Sequence, residues 1–143
     1  MADLRQADLS KGFSWPVRVY WEDTDAGGVV YYANYLRFME RARSEWLRAL
    51  GFEQDVLRDT QGMVFVVRRV EVDYLAPARF NDALAVSVEL KRIGGASLTV
   101  EQTVARGVTP LVTARVTLAC VDAALFKPVK IPASILSVLE PVT

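Results

Sequence analysis

Apolar and polar positions change their period twice along the chain. Alternation through Val17-Arg18-Val19-Tyr20-Trp21, opened by Trp15-Pro16, predicts a first strand. It stops at Glu22-Asp23-Thr24-Asp25-Ala26-Gly27-Gly28, a cluster of turn-forming residues. Beyond that cluster the period lengthens. Tyr35, Phe38, Met39, Ala42, Trp46 and Ala49 fall on one face of a helix. Arg37, Glu40, Arg41, Arg43, Ser44, Glu45 and Arg48 take the other face, with Arg41 and Glu45 paired at i,i+4. Gly51 is placed to end the helix, because glycine adopts the left-handed C-terminal conformation without steric cost.

Period two then returns. Met63 to Leu75 reads as a long strand with Val64, Val66, Val70, Val72 and Tyr74 on one face. Leu84, Val86, Val88 and Leu90 alternate with polar or small residues, and Gly94-Gly95 joins them to Leu98, Val100, Gln102 and Val104 as a hairpin. Gly107 to Pro110 marks the next turn, and Leu111 to Val121 the last long strand. The tail from Lys127 holds a short apolar segment, Ile135-Leu136-Val138-Leu139, suited to covering an edge. One strand, one long helix and four antiparallel strands make an α+β chain, most economically a curved sheet wrapped around the helix. Residues 1–13 read as a flexible N-terminal arm and 14–143 as one domain.

Composition narrows the chemistry. The 143 residues contain no histidine, so a Ser-His-Asp triad, a Cys-His pair and a histidine-ligated metal are all excluded. Any general acid or base is a carboxylate, lysine, tyrosine, thiol or water. Seventeen basic residues balance seventeen acidic ones, which argues against nucleic acid as a partner. A single cysteine cannot form an internal disulfide, and no stretch suits a signal peptide or a membrane span. A cytoplasmic protein is the expectation.

The chemistry-bearing segment is WEDTDAGGVVYYANYLRFMERAR, residues 21–43. It sets Asp23 and Asp25 in a glycine-containing loop just before a helix start, where free backbone N–H groups and the positive end of the helix dipole collect. A carbonyl resting there is polarised, and an adjacent aspartate can attack it or activate water. That is an acyl-transfer site without histidine. The same residues also fit a plain turn or a helix cap, with Gly27 and Gly28 supplying backbone freedom.

From Trp15 to about Leu139 the chain resembles the 4-hydroxybenzoyl-CoA thioesterase family of hotdog proteins. It is more closely similar to the acyl-CoA thioesterases encoded with the bacterial Tol-Pal envelope system. WPVRVYWEDTDAGGVVYYANYLRFMERAR, FVVRRVEVDYLAPARFND, Cys120-Val121-Asp122 and Lys127-Pro128 carry the likeness. The resemblance implies a hotdog fold and hydrolysis of acyl-CoA thioesters without metal or organic cofactor. It makes Asp25, the second acid of the DTD motif, the catalytic carboxylate, as nucleophile or general base. The Tyr32 backbone N–H becomes the donor to the thioester carbonyl, with Gly27 and Gly28 shaping the approach. Close relatives often carry histidine at position 32. A backbone donor survives that change, whereas a histidine-assisted proton transfer does not.

Lys91, Arg92 and Ser97 resemble the basic-then-serine stretch that holds CoA phosphates in relatives; a solvated hairpin end is the alternative. Arg68 and Arg69 fit surface exposure or a subunit salt bridge as well as phosphate binding, and Glu40 fits an orienting role. Cys120 fits a buried small hydrophobe rather than a nucleophile. Hotdog relatives build their sites between subunits, which implies a homodimer or homotetramer. A non-catalytic adaptor binding acyl-CoA or acyl-carrier protein is the rival reading. A hotdog dehydratase is excluded, because its histidine is absent.

Overall fold

The computed structural model describes residues 12–139. Strand β1 (Phe13–Arg18) leads through a short 3-10 turn (Trp21–Asp23) to helix α1 (Asn34–Ala49). Helix α2 (Gln54–Gln61), strands β2 (Met63–Tyr74), β3 (Ala83–Ile93), β4 (Ser97–Arg106) and β5 (Thr109–Asp122), and helix α3 (Ala133–Leu139) complete the order. The five strands form one antiparallel sheet, β1-β3-β4-β5-β2. The arm expected over 1–13 lies outside the described residues except at its last two positions, and Phe13 already belongs to β1, paired with Val88.

Helix α1 buries Tyr35, Phe38, Met39, Ala42, Trp46 and Leu47 against the sheet. The facing strand residues are the alternating set Leu84, Val86, Val88, Leu90, Leu98, Val100 and Val104, all buried. Burying one such side chain contributes about 1.5–3 kcal/mol, so this helix-on-sheet layer is the main source of cohesion. The result is the hotdog arrangement. Gly51, at φ 101°, ends the helix as its position suggested. Glu45 is held by Arg48 rather than Arg41, whose guanidinium sits 5.9 Å above the Phe38 ring.

Three details depart from the periodicity. β1 ends at Arg18, so Trp21 leaves the sheet and stacks its ring on Phe80 at 3.7 Å. In β2 the register shifts between Val67 and Arg69. Cross-strand partners share a face, so Val64 and Val66 lie opposite Val70, Val72 and Tyr74, instead of with them. Helix α2 was not legible because Leu57 is its one buried residue, too few to set a period. The tail folds into α3, with Ile135 and Leu139 buried one turn apart.

Candidate active site

The loop between β1 and α1 is a small hairpin. Thr24 bridges Val30, the Asp25 N–H donates to the Val29 carbonyl at 2.9 Å, and the Tyr31 N–H donates to the Asp23 carbonyl at 2.9 Å. Val29 also bridges Arg79, and the Val30 N–H donates to Ala78, which ties the hairpin to the segment after β2. The carboxylate turn is thereby folded back onto the helix start.

The two aspartates separate in role. Asp23 is buried; its Oδ2 accepts the Tyr20 N–H at 2.8 Å and its Oδ1 accepts the Asn34 side-chain amide at 2.6 Å. It is a framework residue that pins the first turn of α1. Asp25 is exposed. One of its oxygens accepts the Gly27 N–H at 2.8 Å, and the other has no partner among the described residues. A carboxylate with a free oxygen facing solvent can take a proton or attack a carbon.

Neither aspartate caps α1. Its N-cap is Ala33, which has no capping side chain. Among the described residues the N–H groups of Tyr32 and Ala33 have no acceptor. Two unpaired donors at the positive end of a helix suit a carbonyl oxygen gaining negative charge.

Beside these donors runs a groove of about 300 Å³ lined by Val30, Tyr32, Tyr35, Tyr74, Leu75, Ala76 and Pro77. Tyr35, read from spacing as core, is buried yet contributes to this wall, and its hydroxyl accepts the Ala78 N–H at 2.9 Å. Burial pushes its phenol above the ordinary value, and the charge of Asp82, then that of Asp25, adds to the rise. Tyr74, which alternation puts on a strand face without a role, forms part of the same wall. Its position in the DYLAPAR segment, immediately before a proline turn, was the available signal.

Lys91, Arg92 and Ser97 stand elsewhere. The Asp25 hairpin follows Arg18, which pairs with Ala83 at the start of β3, whereas Lys91 lies about 26 Å farther along that strand at roughly 3.3 Å per residue. Within one chain they are not brought to Asp25. Lys91 is also engaged by Glu89 at 2.9 Å and Glu101 at 3.6 Å, and the hydrogen bond to Glu89 leads the rise in its pKa. Arg68 sits at the β2 irregularity, and Arg69 pairs with Glu71 at 3.2 Å. Cys120 is buried and its thiol is pushed up to about 11 by burial, which removes it as a nucleophile.

A helix cradled by an antiparallel sheet, with an exposed aspartate on the hairpin that leads into the helix, is the architecture of the hotdog class. The chain belongs to the thioesterase-like superfamily, whose profile matches residues 19–139. It is 49% identical over 124 residues to the acyl-CoA thioesterase YbgC of Haemophilus influenzae, covering 87% of this chain and 91% of that one. It is 46% identical over 126 residues to the acyl-CoA thioester hydrolase YbgC of Escherichia coli O157:H7, covering 87% and 93%. Among solved structures, a probable thioesterase from Bartonella henselae superposes with a TM-score of 0.82 at 39% identity, covering 85% of this chain and 99% of that one.

Proposed function

We propose that the chain hydrolyses acyl-CoA thioesters to a free acid and CoA, with Asp25 acting on the carbonyl carbon and the Tyr32 N–H on its oxygen. The observation that carries this reading is the pairing, on one hairpin, of an exposed carboxylate with amide donors left free at a helix start. As general base, Asp25 takes a proton from water while the oxygen of that water adds to the carbonyl. As nucleophile, it forms a mixed anhydride that water then opens. In either course the C–S bond breaks, CoA leaves as the thiol, and the oxyanion is held by backbone donors that do not depend on the side chain at position 32. The acyl group then lies in the tyrosine-lined groove beside Tyr32.

The same reading includes a homodimer or homotetramer. β2 is a sheet edge twelve residues long, and unpaired edges of that length favour pairing with another copy. The Lys91-Arg92-Ser97 hairpin then serves the CoA phosphates from a second subunit. A cytoplasmic setting, acyl-carrier-protein thioesters as further substrates and a place beside the Tol-Pal system are supported by resemblance. No helix among the described residues is long and apolar enough to cross a membrane.

The test is thiol release from a panel of short, long, branched and aromatic acyl-CoAs, comparing wild type with Asp25→Asn. Turnover is expected to fall by about 10²–10⁴-fold with folding and oligomeric state unchanged. Equal rates in both proteins would remove Asp25 from the chemistry.

A further inference from the structure

A carbonyl one turn ahead of a helix normally accepts the N–H four residues on. At Tyr32 this does not happen, because the Leu36 N–H goes to the Ala33 carbonyl at 3.1 Å. The Tyr32 carbonyl is met from outside the helix: the Tyr74 hydroxyl donates to it at 3.1 Å. That hydroxyl stands on a firm base. Tyr74 closes β2 opposite Val112, and the next two N–H groups, of Leu75 and Ala76, both donate to the Leu111 carbonyl at 2.8 and 3.1 Å. On the other side of the turn, the Tyr31 N–H is fixed to the Asp23 carbonyl. The residue bearing the free donor is therefore clamped before and after.

We propose that Tyr74 is a positioning residue for thioester hydrolysis, its hydroxyl holding the Tyr31–Ala33 turn so that the free amides stay aimed at the substrate carbonyl. This role rests on the Asp25–Tyr32 site. Fixing the Tyr32 carbonyl fixes the plane of the peptide whose N–H belongs to Ala33, and it limits rotation about the Tyr32 backbone. A hydrogen bond accepted by that carbonyl also polarises the peptide and strengthens its N–H as a donor. Burial, followed by the Tyr32 and Tyr35 phenols, raises the Tyr74 pKa, so its proton stays in place at neutral pH.

Tyr74→Phe isolates the hydroxyl. The ring, edge-on to Tyr32 at 6.3 Å and 5.8 Å from Tyr35, keeps its packing. Steady-state kinetics on the best acyl-CoA of the panel should show kcat reduced about tenfold to a hundredfold with KM within about twofold. Amide resonances of Tyr32 and Ala33 in ¹⁵N-labelled protein should shift, with the thermal midpoint little changed. An unchanged kcat, or a raised KM with kcat intact, would overturn the proposal and leave Tyr74 as a groove wall. Unmoved amide resonances would overturn it also. Asp25→Asn is the companion variant. If it is inactive while Tyr74→Phe matches wild type, the Tyr74 role alone fails; if Asp25→Asn is fully active, the underlying site fails and takes this role with it.

Discussion

Gly27 and Gly28 serve the Asp25 turn for different physical reasons. A Cβ on Gly27 would stand 3.2 Å from Asp25 Oδ1, so only hydrogen leaves the carboxylate where the Gly27 N–H holds it. Gly28 has φ 78°, in the left-handed region that costs other residues about 1–2 kcal/mol. Gly27→Ala therefore separates geometry from stability. It should lower kcat by about tenfold, as Asp25 is displaced by tenths of an ångström, while moving the thermal midpoint by no more than about 2 °C. Wild-type kcat in Gly27→Ala would mean that the carboxylate is not held by that contact. The sequence made Asp25, Gly27 and Gly28 visible, because acid and glycine types declare themselves in a turn. Residue type alone left Asp23 and Asp25 equivalent, and the resemblance singled out Asp25 without a physical reason. The buried pairing of Asp23 with Asn34 supplies one: Asp23 is occupied in the framework, while Asp25 stays exposed.

At the scale of elements, α1 is joined to the sheet by a polar strut as well as by its apolar face. The Arg43 guanidinium donates to Gln102 Oε1 at 2.9 Å, and the Gln102 amide donates to the carbonyls of Met39 at 3.1 Å and Ser87 at 3.3 Å. Gln102 is 1% exposed, and burial pushes the Arg43 pKa down. Gln102→Ala leaves the guanidinium and two carbonyls short of partners. Urea unfolding should show a loss of about 2–4 kcal/mol, more than a glutamine on a solvated strand would give. A loss below about 0.5 kcal/mol would show that water replaces the strut. Periodicity placed Gln102 correctly among the inward positions of β4 but could not name its partner, which is 59 residues away on the helix face read as solvated. The same limit applies to β2. Alternation is a local signal, and the irregularity at Arg68 that reverses it is set by pairing with β5.

At the scale of the molecule, one side of the sheet is unfinished. β2 is an edge, and on its core-side face Val67 and Val70 remain 47% and 36% exposed. Next to them a cleft of about 300 Å³ runs between α1 and β2, floored by Phe65, Val67 and Leu118. A second copy placed against this edge would cover both. Sedimentation velocity is expected to show a dimer or tetramer for the wild type. Val67→Glu with Val70→Glu should shift it towards monomer, with thiol release falling in parallel. Full activity in a demonstrated monomer would separate the chemistry from assembly.

Period and residue type are properties of neighbours in the chain, and they were enough to set five strands, the long helix and the loop that carries Asp25. The resemblance, carried by residues 15–43 and by the segments at 65–82, 120–122 and 127–128, added the chemistry expected of such a loop. What folding alone decided depends on contacts between distant segments. Asp23 is held by a residue eleven positions on, the Tyr32 carbonyl is satisfied by a hydroxyl forty-two positions on, and Lys91 is carried to the far end of β3. Such pairings cannot be read from spacing, because they follow from how the sheet curves round the helix and which groups are thereby left without a local partner.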